Sequence, residues 1–398
     1  MGELTRAEVV NLSGATDGLV DEFVALGLIV PDGAGGLTSS DVRRVTILRL
    51  ILEAGLPIEA VADAVRAGDF DLDFVDDDAY QRFASFSAET FAEASARTGV
   101  PLELLGVVRE VTGAPPPHPD DRLRADELPI LDFLALQRRL GFRPAASERL
   151  LRAQGDSLRR SAESEAEWWR TEVIGPARAR GAELREMSAP DFSPAMAAAL
   201  EASIVSLYRA LQMRAWTANI IASTEARLVE TGRLDRRERQ PAIVFLDVTG
   251  YTQLTEERGD AAAADLAERL GRIVQRTSVA HGGRPVKHLG DGVMFVFPEP
   301  GPAVLAALEM VDGVAAADLP PAHVGVASGP VIFQEGDYYG QTVNLAARIS
   351  DFARPGEVLV SEAVVAASGL PEGSFEEVGP VELKGVSGPV RLLAARST

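Results

Sequence analysis

The texture of the chain changes at Gln240, and this change limits the folds open to it. Before Gln240, apolar residues recur at helical spacing; after it, short apolar runs alternate with helical stretches. Residues 242–248 form a buried-strand run, and a helical pattern follows to about residue 280. Residues 284–289 and 293–297 read as strands around the tight turn Gly290-Asp291-Gly292. Residues 304–311 and 343–352 read as helices, 324–333 as extended chain, and 358–360, 381–383 and 390–393 as further strands. Strands interleaved with helices, plus one hairpin, predict an α+β domain over 239–398 with helices laid on a sheet.

The preceding half reads as all-α. Residues 1–75 are short helical patterns separated by glycine turns such as Pro31-Asp32-Gly33-Ala34-Gly35-Gly36. An acidic stretch covers 69–78, and a helical region then occupies 76–190. Ala114-Pro115-Pro116-Pro117-His118-Pro119 interrupts it and reads as a linker. Residues 191–238 form a connecting segment dominated by one long helix, with Ser193 as N-cap and Pro194 at the first helical position. Its apolar residues Leu200, Ile204, Leu207 and Leu211 are spaced 4, 3 and 4, a narrow seam suited to a mate helix or to packing on its own domain.

Composition removes several chemistries. There is no Cys among the 398 residues, so disulfides, thiolate metal sites and thiol nucleophiles are excluded. His118, His281, His288 and His323 are too scattered in sequence for a His-based zinc site. No apolar run reaches the roughly 20 residues of a membrane span, and residues 1–10 lack a signal pattern, so a cytoplasmic chain is expected. The net charge of −20 argues against a general nucleic-acid binder. An anionic substrate therefore needs metal ions or a few well-placed cations. Only two of the 39 basic residues are lysine, Lys287 and Lys384.

Two aspartates close strands beside glycines: Asp247 in Phe245-Leu246-Asp247-Val248-Thr249-Gly250-Tyr251-Thr252, and Asp291 in Lys287-His288-Leu289-Gly290-Asp291-Gly292. A carboxylate at a strand end, next to outward-pointing amides, can hold a divalent ion beside a phosphate. Read singly, Asp291 is also an ordinary hairpin residue and Asp247 an ordinary helix cap. A third run, Asp337-Tyr338-Tyr339-Gly340-Gln341-Thr342-Val343-Asn344-Leu345-Ala346-Ala347-Arg348, passes from loop into helix, and Asn344 and Arg348 share a face. In this order the three runs resemble the class III nucleotidyl cyclases, over residues 240–398.

The resemblance implies a ferredoxin-like α+β catalytic domain that converts ATP to cyclic AMP and pyrophosphate. It implies two Mg²⁺ or Mn²⁺ ions per site, held by Asp247, Asp291 and the Val248 carbonyl. Lys287 and Asp337 match the base-selecting pair, which suits adenine's acceptor N1 and donor N6; guanine reverses that order. Asn344 and Arg348 match the residues that orient the ribose and stabilise charge at the reacting phosphate, and Lys384 the lysine on the terminal phosphates. Gly250, Tyr251 and Thr252 begin a helix whose amides face the phosphates, or a plain helix start. His323 departs from the pattern, standing where the family often has Arg. In the family each site is built from two catalytic domains, so a single set of motifs implies a homodimer with two equivalent sites.

The first 70 residues resemble a MerR-type winged helix, through Leu12-Ser13-Gly14-Ala15, the 23–31 and 37–42 runs and the helix that follows. Residues 1–70 carry five basic against eleven acidic side chains, and the would-be reading helix has Thr16, Asp17, Gly18, Asp21 and Glu22. Such a surface repels phosphate, so a regulatory or dimerisation module is expected rather than a DNA reader. Residues 76–190, with Trp168-Trp169, resemble the regulatory regions of soluble actinobacterial-type adenylate cyclases, with an unknown regulatory ligand. The rival readings are a ligand-sensing transcription regulator with a degenerate cyclase domain, and a guanylate cyclase.

Overall fold

In the computed structural model, residues 4–31, 36–76, 86–114, 116–181, 194–235, 240–251, 256–257, 259–289 and 292–397 are described. Ser193, Thr252, Gly290 and Asp291 therefore lie outside the described residues, as do Pro115 and most of the 31–36 turn. The chain divides into two compact units, Met1–Thr224 and Glu225–Thr398.

The first unit is helical and holds two separate cores. Helices α1 (Arg6–Ser13), α2 (Asp17–Ala25), α3 (Ser39–Glu53) and α4 (Ile58–Ala67) bury Val9, Phe23, Val45 and Leu48. The starts of α1 and α3 are written into the sequence as capping boxes, Thr5 with Glu8 and Thr38 with Asp41. Leu4 makes an isolated antiparallel bridge with Leu37, just ahead of α3. The expected wing falls partly on 32–35, outside the described residues.

A strand pair, β1 (Phe86–Thr90) with β2 (Arg122–Arg124), opens the second core. Around it lie α5 (Phe91–Thr98), α6 (Leu102–Val111), α7 (Leu128–Arg139) and α8 (Pro144–Trp169), which bury Phe91, Leu105, Leu123 and Leu131. The 86–90 and 122–124 strands were not expected from an all-helical reading; each is too short for a periodic signal. Arg122 bonds Glu8 at 2.6 Å and ties this core to the preceding one. The Trp168 and Trp169 rings stand 6.3 Å apart, just before a single π-turn at Arg170–Ile174. Helix α9 (Pro194–Glu230) runs unbroken for 37 residues, about 55 Å at the helical rise.

The second unit is built on seven strands. They are β3 (Ala242–Val248), β4 (Arg284–Leu289), β5 (Gly292–Phe297), β6 (Ala322–Ser328), β9 (Val358–Ser361), β10 (Phe375–Val381) and β11 (Val390–Ala395), in the order β10-β11-β9-β6-β3-β5-β4. With α10 (Asp260–Ala280) and α11 (Pro300–Ala316), strands β3 to β6 run as βαββαβ, and their order in the sheet is that of a ferredoxin-like core. All pairs are antiparallel except β6 with β9.

The period-two rule then sorts β3. Ala242, Val244, Leu246 and Val248 join the core shared with α10, α11 and α13 (Glu362–Ser368). Ile243 joins the opposite core with Val343, Ala346 and Ile349 of α12 (Gln341–Phe352). A Cβ on Gly325 would meet the Ser350 nitrogen at 2.2 Å, so only glycine lets α12 lie this close on β6.

Three expectations are corrected. The extended run over 324–333 breaks into β6 and β7 (Ile332–Gln334), because Pro330 has no N–H and its carbonyl accepts from the Thr342 hydroxyl at 2.8 Å. The strand expected over 381–383 instead ends at Val381, after a polar run, Phe375–Val381, that carries little hydrophobic signal. Strand β8 (Asp337–Tyr339), read as loop, pairs with β7 in a hairpin.

Candidate active site

One face of the sheet collects the predicted chemistry. Asp247 follows Ile243 and Phe245 at odd positions on β3, so its side chain projects on the α12 side, at the strand's end. Its side chain is 42% exposed, with Oδ1 buried. The neighbouring strand supplies Gly292, where a Cβ would lie 3.3 Å from Asp247 Oδ1, so the start of β5 stands directly beside this carboxylate. Gly250 carries the chain away with φ +78°, a left-handed turn that glycine accepts at low cost.

On the other side, the β3–β6 register sets Asp247 opposite His323. His323 Nε2 is 3.8 Å from Asp247 Oδ2, and its Nδ1 is 3.3 Å from the Thr249 hydroxyl. At 13% exposure His323 is mostly buried. The histidine that stood out in the sequence is thus a direct neighbour of the candidate metal ligand. Its closeness depends on strand register, which no local pattern discloses.

Lys287 sits on β4 opposite Met294, which belongs to the α12-side core, so it shares that face with Asp247. Its ammonium donates to Asp337 Oδ2 at 2.5 Å, across 50 residues of sequence. The other oxygen of Asp337 accepts from the Tyr338 N–H at 2.7 Å. The Tyr339 ring centroid lies 5.9 Å from Lys287 Nζ and adds a face for the cation. Tyr339 was passed over in the sequence, although it stands two residues from Asp337.

Asn344 and Arg348 lie on the exposed face of α12, opposite its buried Val343, Ala346 and Ile349. Arg348 is paired with Asp351 at 2.7 Å. Both partners are well exposed, so a phosphate can displace this pair at small cost. Lys384 stands exposed in the connection after β10, not within a strand. Tyr251 packs its ring against the core and donates from its hydroxyl to the Ala263 carbonyl at 3.4 Å. His281 Nε2 lies 2.7 Å from Glu309 Oε2 and joins α10 to α11, away from this face.

The donors at Asp247 fit a hard divalent ion: a partly exposed aspartate side chain at a strand end and the adjoining Val248 carbonyl, both oxygen, in a chain that has no Cys thiolate. No group of three His, Asp or Glu side chains able to hold a metal occurs among the described residues, which do not include Asp291.

Residues 235–393 match the family model for the adenylate and guanylate cyclase catalytic domain. The C-terminal unit carries a class III cyclase catalytic domain. Over 163 residues, 40% of its length, the chain is 37% identical to a pH-sensitive adenylate cyclase of Mycobacterium tuberculosis. Over 145 residues it is 34% identical to an adenylate cyclase of Streptomyces coelicolor, covering 36% of this chain and 38% of that one. The solved cyclase of Silicibacter pomeroyi is similar at 26% identity and a TM-score of 0.36, over 40% of this chain and 98% of that one. The chain thus aligns with about two fifths of the length of these curated relatives. Among the described residues, no helix of the cyclase unit or of the helical unit is long and apolar enough to cross a membrane.

Proposed function

We propose that this chain is an adenylate cyclase, converting ATP to 3′,5′-cyclic AMP and pyrophosphate at sites shared by two copies. The observation that carries this reading is the Lys287–Asp337 pair, held at 2.5 Å on the same sheet face as Asp247. A cation beside a carboxylate offers a donor to adenine N1 and an acceptor to its N6 amine, and guanine presents the reverse. This disfavours a guanylate cyclase.

In the reaction the ribose 3′-oxygen bonds to the α-phosphorus, the bond to the β-phosphate oxygen breaks, and pyrophosphate leaves. Asp247, Asp291 and the Val248 carbonyl would hold two Mg²⁺ or Mn²⁺ ions. When bound, such ions lower the hydroxyl pKa and neutralise the triphosphate. Asn344 orients the ribose, Arg348 meets the charge that builds on the transferred phosphate, and Lys384 holds the terminal phosphates. Amides after Gly250 contribute to the same grip. His323, where a guanidinium is usual, stands near Asp247 and gives a weaker hold on the triphosphate.

One copy supplies the aspartates and the other supplies Lys287, Asp337, Asn344 and Arg348, so a homodimer is required. The α9 seam is its natural contact. The first 190 residues act as a regulatory region, beginning with the MerR-like helices over 1–75, and α9 carries their state to the catalytic pair. Retention of the full residue set speaks against a degenerate domain in a transcription regulator, and the acidic N-terminal surface against DNA.

The test is purified full-length chain with Mn²⁺ and either ATP or GTP, assayed for cyclic nucleotide. Cyclic AMP from ATP is expected, and none from either the full chain or residues 235–398 would sink the reading. A pH and salt series on both proteins tests regulation, where identical rates throughout would remove it.

A further inference from the structure

We propose that the helical unit contains a binding site for an uncharged amphiphile: an apolar body carrying one hydroxyl donor. Helices α6, α7 and α8 enclose an open-sided cavity of about 590 Å³, a size usual for small-molecule sites. Its walls are apolar, with Val111, Ile130, Phe133, Leu134, Leu151 and Leu158 among them. It does not arise from loose packing of the helices. A Cβ at Gly155 of α8 would lie 2.6 Å from the Val111 Cβ of α6, so the two helices touch backbone to side chain beside the opening.

Thr112, Ser147, Gln154 and Arg159 also reach the lining, but of its described side chains Gln137, 7% exposed, is the one with a buried polar atom, Oε1, that has no hydrogen-bond partner. A buried orphan acceptor costs stability, and folding alone gives no reason to keep one where leucine would fit. A hydroxyl on an otherwise apolar molecule supplies the donor that Oε1 lacks, while its body covers the apolar part of the wall. The terminal amide turns about a soft torsion, so Oε1 can rotate to meet that donor. An ionised carboxylate offers only acceptors and cannot satisfy Oε1. The cation on the lining, Arg159, is already paired with Glu163 at 3.1 Å. The geometry therefore favours a neutral alcohol over an anion of the same chain length.

The probe pair that isolates this hydrogen bond is decan-1-ol and decyl methyl ether, titrated calorimetrically into the full-length protein. The ether has the same apolar body and no donor. Saturable binding of one decan-1-ol per chain is expected, roughly tenfold tighter than the ether, the scale of one net hydrogen bond. Gln137→Leu should abolish that preference and leave ether affinity within about twofold. Leu158→Glu, at a rim position 59% exposed, should weaken both probes. Circular dichroism first establishes that each variant is folded; should Gln137→Leu not fold, the wild-type alcohol-to-ether ratio and Leu158→Glu decide. Absence of saturable decan-1-ol binding, equal affinity for alcohol and ether, a preference that survives Gln137→Leu, or binding indifferent to Leu158→Glu would overturn the proposal. None of these readouts depends on cyclase activity.

Discussion

Strand β3 and helix α9 are both rich in large apolar side chains, yet they treat them in opposite ways. In β3, Ile243, Val244 and Leu246 are all 0% exposed, enclosed by helices on the two faces of the sheet. Along α9, Leu207 and Leu211 are each 65% exposed, Met213 is 72%, Trp216 is 66% and Ile220 is 64%. Burying one such side chain is worth about 1.5–3 kcal/mol. The strand has collected that stabilisation within its own chain, and the helix has not. On the proposed reading, this coiled-coil spacing is the surface that pairs with a second copy. By the same reading, the cyclase unit, with Asp247 and the Lys287–Asp337 pair present once each, makes the same demand by a different route.

The comparison can be broken at either region. The largest effect belongs to the sheet: Asp247→Ala should lower cyclic AMP formation by about 10³-fold or more, the scale of losing a group that organises transition-state charge. Retained activity would remove Asp247 from the site. Next comes the helix, where Leu207→Asp with Leu211→Asp should shift sedimentation from dimer to monomer and take most of the activity with it. These positions face solvent in the single chain, so its helical circular dichroism should change little. An unchanged sedimentation profile would mean that α9 is not the contact.

A smaller and more selective effect is expected at Lys287. Lys287→Ala should reduce ATP turnover at least tenfold relative to GTP turnover, because it strips the pair that reads adenine. An unchanged ratio would contradict that role. The smallest effect lies in the helical unit. Burial opposes ionisation of Asp76, but hydrogen bonds from Ser40 and Arg43, with the charges of Arg44 and Arg43, outweigh it and hold its carboxyl below the usual range. A depressed folded value means stability present above the unfolded carboxyl pKa and lost as pH falls through the folded one. Asp76→Asn should therefore cost about 0.5–1 kcal/mol at neutral pH, a modest figure because the carboxylate is partly screened by solvent. That difference should shrink in urea titrations as pH drops below about 4. A cost independent of pH would exclude the ionic origin.

What the sequence disclosed follows from where its signals are local. The βαββαβ alternation, the Asp247 strand end, Lys287 on β4 and the Asn344–Arg348 face of α12 all follow from periodicity or short motifs, and each has the predicted element in the structure. The capping boxes at Thr5 and Thr38 are equally local. The unseen features are those that depend on pairing between distant segments. His323 opposite Asp247 is a matter of register, the short β1 and β2 strands exist only through each other, and the Gly325 contact depends on how closely α12 approaches. Strand β10, with Glu376, Glu377, Gly379 and Pro380, is held by its pairing to β11 rather than by an apolar pattern. Gln137 gave no signal at all, since an isolated polar residue in a helix is ordinary until its surroundings are known.

The shared site itself is tested most directly by complementation. Asp247→Ala and Lys287→Ala proteins are each assayed alone, then mixed in equal amounts under conditions that allow the copies to exchange. A site drawn from two copies predicts that both singles are inactive and that the mixture regains about a quarter of wild-type activity, since half of the dimers are mixed and each has one intact site. A mixture as inactive as its components, with exchange of copies verified by mass, would contradict the account.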